Sequence, residues 1–345
     1  MAGPRGYSNY RGRGSRAKTA LTVVLVLIIA ASLGFLALQK NIVYDENGRP
    51  YLLPWQKDDQ QAAVPEAPKD LDITIQEPEV TETAMHAFTV SETPLTVQGW
   101  QAARAAAPDD PAAAVTMKDA AGLVYFDTNT AVSGTIRTAA DTADALADMT
   151  GADTGVWSIA RMSCFLDPRA ANADVEAMGL KNTGGYIFYD GNNRQWLDPA
   201  KPAARQYLCT LAKELAEKGF DEILLTDVSY PTEGKLDKIA YGETMKNQNI
   251  VIFLEEMKAA LAAYDVTLSI ELPEAVVAQG ADSFAGLSLA EIAPRVDRVY
   301  AVTAPERISG LAAAVTAAGG ETAFVPELTA SAPDWEGSSL VLSAG

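Results

Sequence analysis

Acidic residues end several short apolar runs of this sequence. The runs L-V-Y-F-D, S-C-F-L-D, I-L-L-T-D, L-S-I-E and F-V-P-E finish at Asp127, Asp167, Asp227, Glu271 and Glu327. Carboxylates at strand ends suit glycoside hydrolysis, in which one carboxyl group protonates the leaving oxygen and another attacks or activates water. Crowding of carboxylates also raises some of their pKa values, as an acid catalyst requires. These five acids are therefore the candidates for catalysis.

Helix capping is the alternative role for an acid in a loop between a strand and a helix. Asp167 precedes Pro168, and Asp198 precedes Pro199. Because proline suits the first position of a helix, both acids are expected to be N-caps rather than catalysts.

Further residues are candidates for contact with a sugar. Aromatic side chains in or near predicted loops and strand ends can pack against the apolar C–H surfaces of sugar rings. The predicted substrate-binding residues are Trp157, Tyr189, Trp196, Tyr230 and the acid Glu327.

The composition excludes several kinds of site. The 345 residues carry a net charge of −18 and include two cysteines and one histidine, His86. A multi-histidine zinc site, a four-cysteine metal site and an iron–sulfur cluster are therefore excluded, and no metal or cofactor is predicted. The acidity also makes nucleic acid an unexpected partner. Cys164 and Cys209 are expected to pack as small hydrophobic residues, and whether they pair is left open.

Strand-like and helix-like segments alternate over the last 260 or so residues. An amphipathic segment from Asp198 to Gly219 is the clearest helix. Alternation predicts a parallel sheet, and eight strands favour a closed (β/α)8 TIM barrel, complete or degenerate, over an open doubly wound sheet. The predicted strands are Met85–Val90, Leu123–Phe126, Gly155–Phe165, Glu222–Asp227, Val266–Leu272, Arg298–Val302, Thr322–Val325 and Ser339–Leu342.

The amino-terminal segment differs from the rest in charge and hydropathy. Residues 20–38 contain neither a charge nor a proline, and a helix of this length spans roughly 28 Å, which is close to the thickness of a bilayer core. The basic residues of segment 1–19 predict a cytoplasmic amino terminus. We therefore expect an uncleaved, single-pass signal-anchor in the cell membrane, with the carboxy-terminal domain outside the cytoplasm.

A linker is predicted between this anchor and the folded domain. Within residues 39–84, Asn47-Gly48 lies between two apolar runs and indicates a hairpin, whereas residues 56–83 have the Pro-, Glu- and Gln-rich composition of an extended stalk. Residues 1–44 carry a charge of +6, so the remainder carries −24. The predicted TIM-barrel domain covers residues 85–345.

Three motifs resemble those of a known family. The segments I-A-R-M-S-C-F-L-D-P (159–168), W-L-D-P (196–199) and G-F-D-E-I-L-L-T-D-V-S-Y-P (219–231) are similar to A-R-I-x-x-F-K-D-P, W-x-x-P and G-F-D-E-I-x-x-D-Y-x-R-F-P. These are motifs of the bacterial putative glycoside-hydrolase TIM-barrel family. The resemblance implies a (β/α)8 fold and a glycan substrate. It also nominates Asp227 and, as the acid of an early I-D-V-K strand end, Asp127. We therefore predict Asp227 as the first catalytic candidate, Glu271, a strand-end acid, as its partner and Asp127 as the third.

The sequence departs from this family at charged positions. Val228 and Ser229 replace a tyrosine and an arginine, and Asn129 stands where the resemblance places a lysine. Loss of these cations would remove groups that hold carboxylates ionised or bind substrate. We therefore keep two hypotheses: a membrane-anchored extracytoplasmic glycoside hydrolase acting on an envelope or extracellular polysaccharide, such as a cell-wall glycan, and a catalytically inactive glycan-binding or scaffold protein. The oligomeric state is left open.

Overall fold

The computed structural model describes residues 42–44, 50–52, 84–107, 109–329 and 335–342. The chain divides into two units, Met1–Pro78 and Glu79–Gly345. In the first unit, the strands Ile42–Tyr44 and Pro50–Leu52 pair antiparallel, which confirms the hairpin predicted around Asn47-Gly48. The predicted anchor at 20–38 and the stalk at 56–83 lie outside the described residues. Among the residues that are described, no helix is both long and apolar enough to cross a membrane.

The second unit is a closed barrel of eight parallel strands, and this confirms the predicted TIM-barrel architecture. Each strand pairs with the next one along the chain, and the last pairs with the first through Leu340 and Ala87. The strands are β1 His86–Val90, β2 Ala112–Lys118, β3 Trp157–Ser163, β4 Glu222–Thr226, β5 Thr267–Glu271, β6 Arg298–Val302, β7 Ala323–Leu328 and β8 Ser339–Val341.

Helices cover the outside of the barrel and bury its outward-facing apolar side chains. Helical segments separate each pair of consecutive strands from β1 to β7, as in a (β/α)8 fold. Residues 329 and 335–338, which are the described part of the β7–β8 connection, contain no helix. The helices are α1 Val97–Ala106, α2 Thr142–Thr150, α3 Pro168–Ala173, α4 Pro202–Glu217, α5 Lys246–Leu261, α6 Glu274–Gln279, α7 Leu289–Ile292 and α8 Ile308–Gly319.

Strand β2 corrects one prediction. It occupies Ala112–Lys118, whereas the predicted strand Leu123–Phe126 forms only an isolated bridge at Val124. The run A-A-A-V-T-M-K lacks a strand signal because alanine favours helices. Inside the barrel, the small side chains of Ala112 and Ala114 cluster with bulky neighbours such as Tyr300. Whether this run forms a strand thus depends on the large side chains that other strands place beside it.

Helix α4 corrects the predicted capping by Asp198. The helix begins at Pro202, with Lys201 as its N-cap, and Asp198 instead accepts a hydrogen bond from the backbone N–H of Ala200 at 3.0 Å. Pro202 takes the first helical position that was predicted for Pro199, because the backbone N–H that proline lacks would have no partner within the helix at that position. The helix ends at Glu217, and Gly219 follows in the left-handed region with φ 90°, as predicted.

A polar cluster fills the amino-terminal end of the barrel, which we call the barrel floor and define as Trp157, Glu222, Ser269, Arg298 and Tyr300. The buried Glu222 carboxylate lies 2.6 Å from an Arg298 nitrogen. It also accepts hydrogen bonds from Trp157 Nε1 at 2.9 Å, Ser269 Oγ at 2.6 Å and Tyr300 Oη at 2.8 Å. Each oxygen of this buried carboxylate is therefore hydrogen-bonded, which offsets the cost of its desolvation.

Candidate active site

Three charged side chains meet at the opposite, carboxyl end of the barrel. Arg161 of β3 places Nη2 2.5 Å from Glu271 Oε2 and Nη1 2.9 Å from Glu327 Oε1. Glu271 is the last residue of β5, and Glu327 lies near the end of β7. Side chains from alternate strands form layers inside such a barrel, so β3, β5 and β7 bring these residues together. Functional residues of this fold lie at this end.

Burial sets the electrostatics of this cluster. Burial and the nearby charge of Glu327 raise the pKa of Glu271 to about 7, although Arg161 opposes the shift. Burial also raises the pKa of Glu327, whose side chain is fully buried. One Glu327 oxygen binds Arg161, and the other has no hydrogen-bond partner among the described residues. Two carboxyl groups thus share one guanidinium, and this favours protonation of Glu271 near neutral pH.

Asp227 follows the last residue of β4 in an unusual backbone conformation. Its φ is 53°, in the left-handed region that aspartate tolerates better than most residues. Ser163 Oγ, at the end of β3, donates a 2.6 Å hydrogen bond to Asp227 Oδ2. The charge of Asp227 contributes to the raised pKa of Glu271, so the two carboxyl groups interact. Non-glycine residues held in this conformation occur often at functional sites.

A buried ion pair supports the strand end that carries Ser163. Lys118 Nζ, at the end of β2, lies 3.0 Å from Asp167 Oδ2, and both side chains are fully buried. The same ammonium donates to the backbone oxygen of Ser163 at 2.7 Å. Asp167 Oδ1 accepts from the backbone N–H groups of Arg169 and Ala170, which confirms its predicted role as a helix cap.

Two of the predicted site residues lie away from this cluster. Asp127 is exposed on the loop after β2, with its carboxylate 3.4 Å from Thr138 Oγ1, because β2 ends nine residues earlier than Asp127. Trp157 begins β3 and belongs to the barrel floor, at the end opposite Glu271. The structure therefore brings together Asp227, Glu271 and Glu327, but neither Asp127 nor Trp157.

The other predicted aromatic residues lie on loops at the carboxyl end. Tyr189 is about half exposed, whereas Trp196 is buried and donates from Nε1 to Asp190 Oδ2 at 3.0 Å. Tyr230 is also buried, and its hydroxyl accepts a 2.9 Å hydrogen bond from Asn249. Trp196 and Tyr230 thus support loops, and Tyr189 alone of these three presents a large surface to solvent.

Sequence reasoning did not select Arg161, which bonds Glu271 and Glu327, or Lys118, which pairs with Asp167. The signal for Arg161 was present, because it is the arginine of I-A-R-M-S-C-F, which matches A-R-I-x-x-F in the resemblance. The lysine of I-D-V-K was sought at Asn129, but β2 ends at Lys118 in V-T-M-K. The strand end itself therefore supplies a lysine, with Thr116 in place of the motif's acid.

The cysteines and the groups that could bind a metal were also candidates for chemistry. Cys164 and Cys209 are buried and form no disulfide, and burial raises the pKa of both thiols. In the described part of the chain, no group of three or more His, Cys, Asp or Glu side chains is placed to hold a metal ion.

The model of one known protein family matches most of the barrel domain. Residues 110–313 match the model of DUF4015, described as a putative glycosyl hydrolase domain. The chain belongs to this family. The match begins just before β2 and ends within α8, so it includes Arg161, Asp227 and Glu271. No curated protein matches the chain significantly.

Solved structures that are similar to this chain include a hypothetical protein from Ruminiclostridium thermocellum, which is 26% identical. The alignment covers 54% of this chain and 96% of that protein, with a TM-score of 0.45. The PgaB (BpsB) glycoside hydrolase domain from Bordetella bronchiseptica is 15% identical, with coverage of 71% and 84% and a TM-score of 0.49. The glycoside hydrolase domain of a PelA variant from Pseudomonas aeruginosa is 13% identical, with coverage of 71% and 83% and a TM-score of 0.39. The fold assignment for this chain depends on its own strand pairing.

Proposed function

We propose that this protein hydrolyses glycosidic bonds of a polysaccharide, with Glu271 as the general acid and Asp227 as the second carboxylate. The observation that carries the proposal is the pair of carboxyl groups, Glu271 and Glu327, on one guanidinium at the carboxyl end of the barrel, where burial raises the pKa of Glu271 to about 7. A carboxylic acid that keeps its proton near neutral pH can protonate the leaving oxygen. Asp227, fixed by Ser163, then acts on the sugar directly or through a water molecule.

Arg161 and Glu327 support this proton donor. Once Glu271 has given up its proton, its carboxylate remains next to the guanidinium of Arg161, which stabilises the new charge. Glu327 fixes the other side of that guanidinium and counteracts part of its positive charge, which keeps the pKa of Glu271 from falling. Lys118 stands at the strand end where the motif has its lysine, whereas Ser229 still replaces the motif's arginine.

The location of the reaction is part of the proposal. The apolar segment 20–38 and the basic residues before it support a single-pass anchor with a cytoplasmic amino terminus. The barrel would then lie outside the cytoplasm, where an envelope or cell-wall polysaccharide is the available substrate.

The test compares three variants of the full-length chain on a panel of soluble polysaccharides by release of reducing ends. We expect Glu271→Gln and Asp227→Asn each to lower the rate at least a hundredfold, since general acid catalysis contributes about 10²–10⁴-fold. Asp127→Asn is the matched control, because Asp127 is exposed and its carboxylate contacts Thr138 rather than a member of the cluster. Full activity in Glu271→Gln would refute the assignment. Binding without cleavage by the unaltered chain would favour the non-catalytic alternative.

The pH profile gives a second test. Glu271 must be protonated to act as the acid, and its pKa is about 7. The rate should therefore fall as the pH rises past about 7, and a rate that keeps rising to pH 9 would contradict this role.

A further inference from the structure

Exposed hydrophobic side chains concentrate at the carboxyl end of the barrel. The large ones among the described residues all follow β3, β4 or β5 in loops, or end β6. They are Tyr186, Tyr189, Tyr241, Met245, Phe284 and Val302. Exposed apolar side chains that cluster on one face of a protein are typical of an interaction site.

A cavity lies between two of these loops. It has a volume of about 730 Å³ and lies between the β4–α5 loop, represented by Tyr241 and Met245, and the β5–α7 segment, represented by Ala281 and Ser288. Tyr241 is 36% exposed and Met245 is 59% exposed, so apolar surface faces the opening. Polar groups also line the cavity, among them Asn247 and Glu291, which are joined by a 2.9 Å hydrogen bond. An apolar surface with a few fixed polar groups is typical of small-ligand sites.

The wall of the cavity is held in place by contacts between the two loops. Lys246 Nζ lies 4.4 Å from the centre of the Tyr241 ring and donates to the Phe284 carbonyl at 2.9 Å. Gly286 has a φ of 76°, and a Cβ there would lie 2.8 Å from Lys246 Cβ, so the backbone approaches closely where only glycine fits. A preformed wall spends little free energy on ordering when a ligand binds.

The same wall is linked to the candidate catalytic residues through the chain. The β4–α5 loop begins with Asp227, and the second wall of the cavity follows Glu271 after helix α6. Tyr230, three residues after Asp227, stacks edge-to-face on Tyr241 with ring centres 5.7 Å apart. Its backbone N–H also donates to the Ala285 carbonyl at 2.8 Å. Tyr230 thus fixes the cavity wall relative to the strand end that holds Asp227.

We propose that this cavity is a sugar-binding subsite that holds a residue of the polysaccharide beyond the bond that is cleaved. The inference rests on the proposed function, because it assigns the ligand of the same active site. Tyr241 supplies the ring on which a sugar packs, and Met245 and Phe284 extend the apolar surface.

The charges around the cavity select the class of polysaccharide. Among the described lining residues, Lys246 is the sole cation, and its ammonium is engaged by the Tyr241 ring and the Phe284 carbonyl. Glu243 and Glu291 also line the cavity. The lining thus carries two carboxylates against one partly engaged cation, and this excess of negative charge opposes a uronic-acid polymer, so the ligand is a neutral or amino-sugar polymer.

The test measures binding without turnover, in the full-length Glu271→Gln chain, by electrophoresis through gels that contain hydroxyethyl cellulose, dextran, glycol chitin, chitosan or polygalacturonate. We expect retention by at least one of the first four polymers. Tyr241→Ala should weaken that retention at least tenfold in Kd. Tyr264→Ala is the matched control, because Tyr264 lies at the other end of α5 and bonds Glu217. Ala281→Trp, at an exposed lining position, should weaken binding by filling the cavity without removing a contact.

The outcomes separate this inference from the proposed function. If Tyr241→Ala and Ala281→Trp bind every polymer as tightly as Tyr264→Ala does, the subsite assignment is refuted. The hydrolase assignment would still stand if Glu271→Gln and Asp227→Asn abolish cleavage. Retention by polygalacturonate alone, or by none of the five polymers, would also overturn the inference.

Discussion

The shared guanidinium of Arg161 makes the stability of the barrel depend on the protonation of Glu271. Replacement of Glu271 by glutamine keeps the shape of the protonated side chain but removes its ionisation. At low pH the unaltered protein and Glu271→Gln should therefore have nearly equal free energies of unfolding. At high pH the unaltered protein carries two carboxylates on one guanidinium, and the variant carries one.

The magnitude follows from the pKa of Glu271, which rises from 4.5 to about 7 on folding. Because the folded state holds this proton more tightly, the contribution to stability is complete below about pH 4.5 and is lost as the pH rises through 7. A shift of this size is equivalent to about 3 kcal/mol, of which about 2 kcal/mol or slightly more is lost between pH 5 and pH 8. Glu271→Gln does not incur this loss.

Urea unfolding of the full-length chain at pH 5 and pH 8 measures the effect. We expect the stability of Glu271→Gln relative to the unaltered protein to increase by about 2 kcal/mol between these two pH values. Glu306→Gln, a substitution of an exposed glutamate in the loop before α8, is the control and should show no such pH dependence. A difference between Glu271→Gln and the unaltered protein that is the same at both pH values would refute the reasoning.

Two further predictions concern the other buried charges. Lys118→Met should cost about 3–5 kcal/mol in urea unfolding, because it leaves Asp167 buried without its cation. The double variant with Asp167→Asn should recover at least half of that loss; an additive result would contradict the pairing. Glu222→Leu should lower stability by about 2–4 kcal/mol, because it removes the acceptor of the Tyr300 hydroxyl and the charge beside Arg298. An unchanged melting temperature would show that the barrel floor does not need this carboxylate.

The alternation of apolar runs predicted seven of the eight strands, because strands buried on both faces are continuous and apolar in sequence. The exception, β2, is made of small residues whose strand conformation depends on neighbours such as Tyr300. That single error led to the wrong choice of a candidate catalytic residue. Asp127 was chosen as the end of a strand, whereas the strand ends at Lys118 and Asp127 is exposed on the following loop.

The sequence by itself excluded metal sites built from several histidines or cysteines, since it has one histidine and two cysteines, and it indicated carboxylates as the candidate catalytic groups. It also predicted a closed parallel barrel and, in Asp227, Glu271 and Glu327, the acids that this fold gathers at one end. Only the tertiary structure decided that Glu271 and Glu327 share the guanidinium of Arg161 and that burial raises the pKa of both glutamates. Arg161 lies 110 residues before Glu271 and 166 residues before Glu327 along the chain. The three side chains meet because β3, β5 and β7 are alternate strands, which contribute to the same layer inside the barrel. A pKa depends on burial and on the distances between charges, and closure of the barrel fixes both.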